Sequence, residues 1–274
     1  MIRRIAALVV TLFLLLAGFA PSAAQADPVW QFPLAANLVE DREGLLIAIN
    51  KDKRLEAGYV PFNLVPLQLR AVGRGHQLRR EAAEALTAMF AEAEAAGFKL
   101  YVKSAYRSYQ TQSSMYANRL EKYRKDDGVV AVPGSSDHQT GLGVDVLNYA
   151  WTQKDGMTPA FGETEEAKWM EANCARFGFI IRYLPEKQEI TGIIYEPWHL
   201  RYVGEEVAAY IMENRLSLEE FDDQVAQAIA SYEAAGGDYA ALCRELNALP
   251  VPKKLAETDE EGDGEVSLFY QKNP

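Results

Sequence analysis

Helical patterns and short apolar runs follow one another irregularly along this chain, and their order limits the possible fold classes. Apolar residues recur at helical spacing over residues 77–96, and Gly97 ends the pattern. Short apolar runs predict strands at 45–49, 100–102, 144–147, 179–183 and 190–195. The last two flank a turn that contains Pro185 and predict a β-hairpin. A regular strand–helix alternation is missing, so the pattern predicts an α+β fold with a small antiparallel sheet and surrounding helices.

Residues 1–26 have the features of a secretory signal peptide. Arg3 and Arg4 precede the almost wholly apolar stretch 5–20, and residues 24–26 (Ala-Gln-Ala) offer small side chains at a cleavage site. The alternative is an uncleaved membrane anchor, but the apolar stretch is short for a membrane span. We therefore predict an exported protein, periplasmic or extracellular, whose mature chain has no stable membrane span.

The rest of the chain divides into a main domain and two C-terminal parts. The main domain is predicted to cover 27–221. A helical extension is predicted at 222–249, preceded by the capping-box pair Ser217 and Glu220. Residues 250–274 carry two prolines and an acidic run, and predict a mobile acidic tail. The extension either docks another protein outside the cytoplasm or simply covers the core.

Charge and cysteine content exclude several kinds of protein. Acidic residues outnumber basic ones by 39 to 28, which gives a net charge of −11. Such a chain lacks the excess cation that phosphate contacts need, so no nucleic-acid partner is expected. Cys174 and Cys243 are too few for a disulfide scaffold, and Cys174 is predicted to be a buried free thiol.

Two of the three histidines occur in patterns that suit a metal site. His138 lies seven residues before Asp145, at the start of a predicted strand, and Glu196 lies three residues before His199. Two imidazoles and one carboxylate form a common ligand set for catalytic zinc, with the fourth position open for water. Glu196 would then lie close enough to take a proton from that water. The alternative is that these are ordinary loop residues, because Glu and His three positions apart often occur by chance.

Four separated motifs extend this pattern to a known family. Residues 136–145 resemble the SxHxxGxAxD signature of the VanY-type D-alanyl-D-alanine carboxypeptidases, a family of zinc peptidases. Residues 196–199 resemble the family's ExxH element, and residues 104–108 its S-x-Y-R-S segment. Residues 201–204 also resemble family sequence, and the whole resemblance covers about 45–221. Gly143 stands where the family usually has Ala.

The resemblance implies a role for each matched residue. His138, Asp145 and His199 would bind one Zn²⁺ per chain, at the sheet. Glu196 would be the general base that activates water and then passes the proton to the leaving amine. Arg107 would stabilise the oxyanion that develops on the scissile carbonyl.

Three further residues are implied in substrate binding. Ser136 and Gln112 would bind the substrate at its terminal carboxylate. Trp198 would form an apolar wall for a D-Ala methyl group, unless it only packs beneath the site.

The resemblance therefore implies a secreted zinc carboxypeptidase, associated with the cell wall, that removes C-terminal D-Ala from peptidoglycan stem peptides. A protein docked by the C-terminal extension would then be another wall protein. A D,D-carboxypeptidase is favoured. An L,D-carboxypeptidase acting on tetrapeptide stems is one alternative, because a methyl-sized difference in a pocket can decide between the two. A non-catalytic, zinc-containing module that binds the cell wall is the other, although such a module has no need of Glu196.

Overall fold

The computed structural model of the chain describes residues 27–154 and 156–249. The predicted signal peptide at 1–26 and the predicted tail at 250–274 lie outside these residues. The described helices are α1 (Arg80–Ala95), α2 (Tyr109–Tyr123), α3 (Tyr149–Thr152), α4 (Glu165–Asn173), α5 (Gln188–Thr191), α6 (Glu205–Glu213), α7 (Leu218–Ala234) and α8 (Tyr239–Ala248). The described strands are β1 (Leu64–Pro66), β2 (Gln77–Arg79), β3 (Leu100–Ser104), β4 (Gly143–Asn148), β5 (Phe179–Ile181) and β6 (His199–Tyr202).

A four-stranded antiparallel sheet in the order β3-β4-β6-β5 forms the centre of the fold. Every residue of β4 is buried, which is expected for an inner strand covered on both faces. Strands β1 and β2 form a separate antiparallel pair. The predicted α+β class, with a small antiparallel sheet and surrounding helices, is confirmed.

Local sequence signals explain where α2 and α7 begin. Ser108 caps α2 by accepting a hydrogen bond from the Thr111 amide. Ser217 and Glu220 form the predicted capping box at the start of α7. These caps satisfy amide groups that have no partner inside the helix.

The apolar side chains form two buried clusters. The larger one joins α1 to both faces of the four-stranded sheet. The second joins N-terminal residues around Val39 and Leu46 to α6 and to Leu218, Phe221 and Val225 of α7. The predicted boundary between 221 and 222 falls inside α7, and the division of the chain into domains stays a prediction. None of the described helices is long and apolar enough to span a membrane.

Three predictions about local structure need correction. Residues 46–49 are buried and Leu45 is partly buried, but the segment forms no strand, because its carbonyl groups accept hydrogen bonds from arginine side chains. The hairpin was wrong: β5 pairs with β6, and 190–195 contains the end of α5 and a loop. The helix over 77–96 begins only at Arg80, since 77–79 form β2.

Cys174 and Cys243 are both free and buried, as predicted for Cys174.

Candidate active site

Strand register brings the three predicted metal ligands together. Asp145 pairs directly with His199 across β4 and β6. His138 lies in the short 3₁₀ helix Asp137–Thr140 just before β4. One potential ligand atom from each of the three lies within 4.8 Å of the others, and all three side chains are buried.

The individual separations suit a small metal ion. His138 Nε2 lies 3.3 Å from Asp145 Oδ2, and His199 Nδ1 lies 2.9 Å from Asp145 Oδ1. Ligand atoms in a tetrahedral zinc site lie about 3.3 Å apart, since each is about 2.0–2.2 Å from the metal. His138 Nδ1 donates to the carbonyl oxygen of Ala105 (2.7 Å), which leaves the Nε2 lone pair free for a metal.

Electrostatics keep one histidine neutral and Asp145 ionised. Burial and the nearby Arg107 lower the pKa of His138 to about 4. Burial alone would raise the pKa of Asp145, but the two histidines hold it well below its usual range. Burial likewise opposes charge on His199, yet the carboxylates of Asp137 and Asp145 raise its pKa to about 9. A metal ion must therefore compete with a proton for this ring.

A tight backbone approach positions the loop that carries His138. Gly141 ends the 3₁₀ helix with a φ of 71°, a conformation that favours glycine. A Cβ atom on Gly143 would lie 2.9 Å from the carbonyl carbon of Asp137. The glycine at this position, where the family usually has Ala, therefore allows β4 to approach the loop closely.

Glu196 lies beside the metal group without joining it. Its Oε2 is 3.9 Å from His199 Nδ1, and its backbone amide donates to the Tyr183 carbonyl oxygen (3.1 Å). Only 9% of the residue is exposed. Burial raises the pKa of Glu196 to about 8. A metal ion at the neighbouring ligands would lower this pKa, because a nearby cation favours the carboxylate.

Arg107 points toward the metal group and is held by two side chains. Its guanidinium donates to Gln112 Oε1 (2.7 Å) and Ser104 Oγ (3.2 Å), and Nη2 lies 4.0 Å from Asp145 Oδ2. Its backbone amide donates to the His138 carbonyl oxygen (3.0 Å). The cation is therefore fixed relative to the predicted ligands.

The three predicted substrate-binding residues all line the same cleft. Gln112 is buried, and its Nε2 also donates to the Ala131 carbonyl oxygen (2.6 Å), so both ends of its amide are used within the protein. This places Gln112 as a support for Arg107. Ser136 is buried at the wall of the cleft, and Trp198 packs into the larger apolar cluster while still lining the cleft. Their contacts with substrate stay predictions.

Comparison with known proteins places this arrangement in a family. The family model VanY, described as D-alanyl-D-alanine carboxypeptidase, matches residues 75–205. The putative carboxypeptidase YodJ of Bacillus subtilis is 39% identical over 195 residues, covering 68% of this chain and 70% of YodJ. The chain belongs to the VanY family. It is therefore a carboxypeptidase, and the alternative of a non-catalytic binding module does not hold.

Two solved structures of VanY relatives have the same fold. The LdcB LD-carboxypeptidase, whose structure concerns peptidoglycan recognition, is 36% identical with a TM-score of 0.63, covering 70% of this chain and 98% of LdcB. The vancomycin-resistance D,D-pentapeptidase VanY from a VanB-type cassette, in complex with Zn(II), is 33% identical with a TM-score of 0.51. That match covers 64% of this chain and 97% of the pentapeptidase.

The sequence did not single out two groups near this VanY site. Tyr183 is buried, lines the cleft, and has its ring centroid 5.1 Å from that of His199. Arg182, next to it, is fully buried and donates to Asp137 (2.9 Å). The sequence does offer one signal for Arg182, which is the lone charged residue in the otherwise apolar run 179–184. A cation there requires buried anionic partners.

Proposed function

We propose that this chain is an exported zinc carboxypeptidase that removes C-terminal D-Ala from peptidoglycan stem peptides, with D,D-specificity. The observation that carries the proposal is that a single cleft contains the metal group, Glu196 and Arg107. Each group suits one task in amide hydrolysis.

The donor set fits zinc. Two imidazoles and a carboxylate are typical of catalytic zinc sites that keep one position open. When bound by His138, Asp145 and His199, the ion would polarise the scissile carbonyl and acidify a water molecule. The zinc complex of the VanY D,D-pentapeptidase supports the choice of metal.

Glu196 is the general base in this proposal. It lies close to the ligand group but is not needed to complete it, so its carboxylate is free to accept the proton of the attacking water. The same carboxyl group then delivers this proton to the nitrogen of the departing D-Ala. Its burial limits exchange of the proton with bulk water.

Arg107 provides fixed positive charge where the carbonyl oxygen becomes anionic. Its donors are already oriented by Gln112 and Ser104, so little reorganisation is required as charge develops. Ser136 and Trp198 line the same cleft and are proposed to contact the terminal residue of the peptide.

An L,D-carboxypeptidase is the second candidate. It is favoured by the match to LdcB, which covers more of this chain than the match to the D,D-pentapeptidase and has the higher TM-score. The D,D proposal is favoured by the description of the matching family model. The two activities differ in the residue that precedes the terminal D-Ala.

Export is supported by residues 1–26. The paired arginines, the apolar stretch and the small residues before Asp27 are the three parts of a secretory signal. Export would bring the enzyme to its cell-wall substrate.

Mass spectrometry of muropeptides tests the specificity. Purified pentapeptide and tetrapeptide stems are each incubated with the enzyme. Loss of one alanine from the pentapeptide supports the D,D proposal, whereas loss only from the tetrapeptide supports the L,D candidate. Intact peptides in both reactions would contradict the proposed function.

A further inference from the structure

A buried charge cluster lies at the second ring nitrogen of His199. Asp137 Oδ2 accepts from Arg182 Nε (2.9 Å), and Asp137 Oδ1 accepts from Arg201 Nη1. The three charged side chains are at most 1% exposed. The mechanism above assigns no role to any of them.

His199 Nε2 faces this cluster without a hydrogen-bond partner. The atom is buried, and it lies 3.8 Å from Asp137 Oδ2. The other histidine of the metal group has its second nitrogen satisfied by the Ala105 carbonyl oxygen. Ligating histidines almost always donate this second N–H to a carboxylate, a carbonyl or water, and the Asp137 carboxylate lies on this side of the His199 ring.

The proton of a neutral His199 has two possible places. On Nδ1 it would bind the Asp145 carboxylate, 2.9 Å away, and would occupy the atom that faces the metal position. On Nε2 it leaves the Nδ1 lone pair free. A metal ion on Nδ1 would exclude the first arrangement, and the Asp137 carboxylate near Nε2 stabilises the second.

We propose that Asp137 is a positioning residue that orients the His199 ring, with Nε2 toward the Asp137 carboxylate and Nδ1 toward the metal. This inference rests on the zinc site of the proposed function. Arg182 and Arg201 hold the Asp137 carboxylate in place and compensate its charge.

The cluster is completed by segments outside residues 75–205, the part that matches the family model. Glu219, in the first turn of α7, accepts from Nη1 and Nη2 of Arg182 (2.8 and 2.7 Å). The carbonyl oxygens of Leu45 and Ile47 accept from Arg201 Nη2 (3.0 and 2.9 Å). The proposal therefore gives α7 a role in the metal site, because Glu219 is linked to His199 through Arg182 and Asp137.

The first test replaces Asp137 with Asn, which keeps the size but removes the anion. The zinc dissociation constant is measured by competition with a chromogenic chelator. We expect zinc binding to weaken by about 10–100-fold, the usual effect of losing such a partner. Nitrogen-15 spectra of the zinc-loaded proteins are simple because the chain has 3 histidines. The Nε2 proton signal of His199 should move upfield in D137N, because its hydrogen bond to the carboxylate is lost. A folded D137N with wild-type zinc affinity and an unchanged Nε2 proton signal would overturn the proposal.

The second test compares two substitutions in α7, and it tests the proposal even if D137N does not fold. Glu219→Gln weakens the contact with Arg182, whereas Asp222→Asn weakens a contact of the same helix with Arg42 (2.7 Å), away from the cluster. We expect only E219Q to weaken zinc binding, at least several-fold, while both variants lower Tm. Equal zinc affinities for the two variants would overturn the proposal. Cleavage is not measured here, so a negative result leaves the proposed function intact, and only a wild-type protein that binds no zinc would contradict both.

Discussion

Asp145 and His199 are direct partners across the β4–β6 ladder, and their side chains meet with His199 Nδ1 2.9 Å from Asp145 Oδ1. Residues 54 positions apart in sequence are thus brought together by strand register alone. A slip of one residue would turn either side chain to the opposite face of the sheet. The proposed metal site is therefore as rigid as the buried strand pair that carries it.

Metal removal should abolish activity reversibly. The buried group of His138, Asp145 and His199 has no other proposed ligand, so a strong chelator should stop cleavage and about one equivalent of Zn²⁺ should restore it. The measurement is elemental analysis beside cleavage of a D-Ala-terminated peptide. A serine-acylating β-lactam serves as the control, and it should leave activity unchanged. A metal-free enzyme with full activity would contradict the mechanism.

Arg107→Ala should lower kcat by about 10²–10³, the usual loss when an oxyanion donor is removed. Arg176→Ala is the control, because Arg176 pairs with Glu92 on the exposed surface and such pairs contribute about 0–1 kcal/mol. Steady-state kinetics and Tm are measured for both variants. If R107A turns over as fast as R176A, Arg107 is only a structural cation.

Gly143→Ala should destabilise the protein by about 1–3 kcal/mol, the usual cost of overpacking. The added Cβ would lie 2.9 Å from backbone and side-chain carbons of Asp137, and 3.1 Å from the His138 amide nitrogen. Gly58→Ala is the matched control, since nothing lies within 4 Å of a Cβ there. Denaturant unfolding compares the two variants. Equal free energies of unfolding would contradict the prediction, because the loop would then accommodate the added methyl group without loss of stability.

The mature protein should begin at Asp27. N-terminal sequencing of the exported product measures this directly. Replacing the small residue before the cleavage site, Ala26→Phe, should block processing and leave the apolar stretch attached. A membrane-bound wild-type product that still begins at Met1 would instead support the uncleaved membrane anchor.

The sequence predicted which residues come together in the cleft better than it predicted the sheet. His138, Asp145, His199 and Glu196 were identifiable because motif spacing keeps chemistry-bearing residues together along the chain. Strand β6 was missed because it is only four residues long and carries His199 and Arg201, which disrupt the apolar pattern of a buried strand.

The segment 45–49 was predicted to be a strand but forms none. Its apolar side chains are buried as a strand's would be, but its carbonyl groups bond to Arg182 and Arg201, more than 130 residues away in sequence. No local pattern reports a backbone partner of this kind. Asp137 and Glu219 were missed for the same reason, since a charged residue shows its buried partner only once the chain is folded.

The most direct test of the account compares the wild-type enzyme with Glu196→Gln. The substitution keeps the size of the side chain and removes the base, 3.9 Å from His199 Nδ1. On a D-Ala-D-Ala peptide, we expect kcat to fall toward the upper part of the usual 10²–10⁴-fold loss for general-base removal, because Glu196 serves both the water and the leaving amine. Zinc content and Tm should stay at wild-type values. An E196Q variant that keeps zinc and full activity would contradict the account.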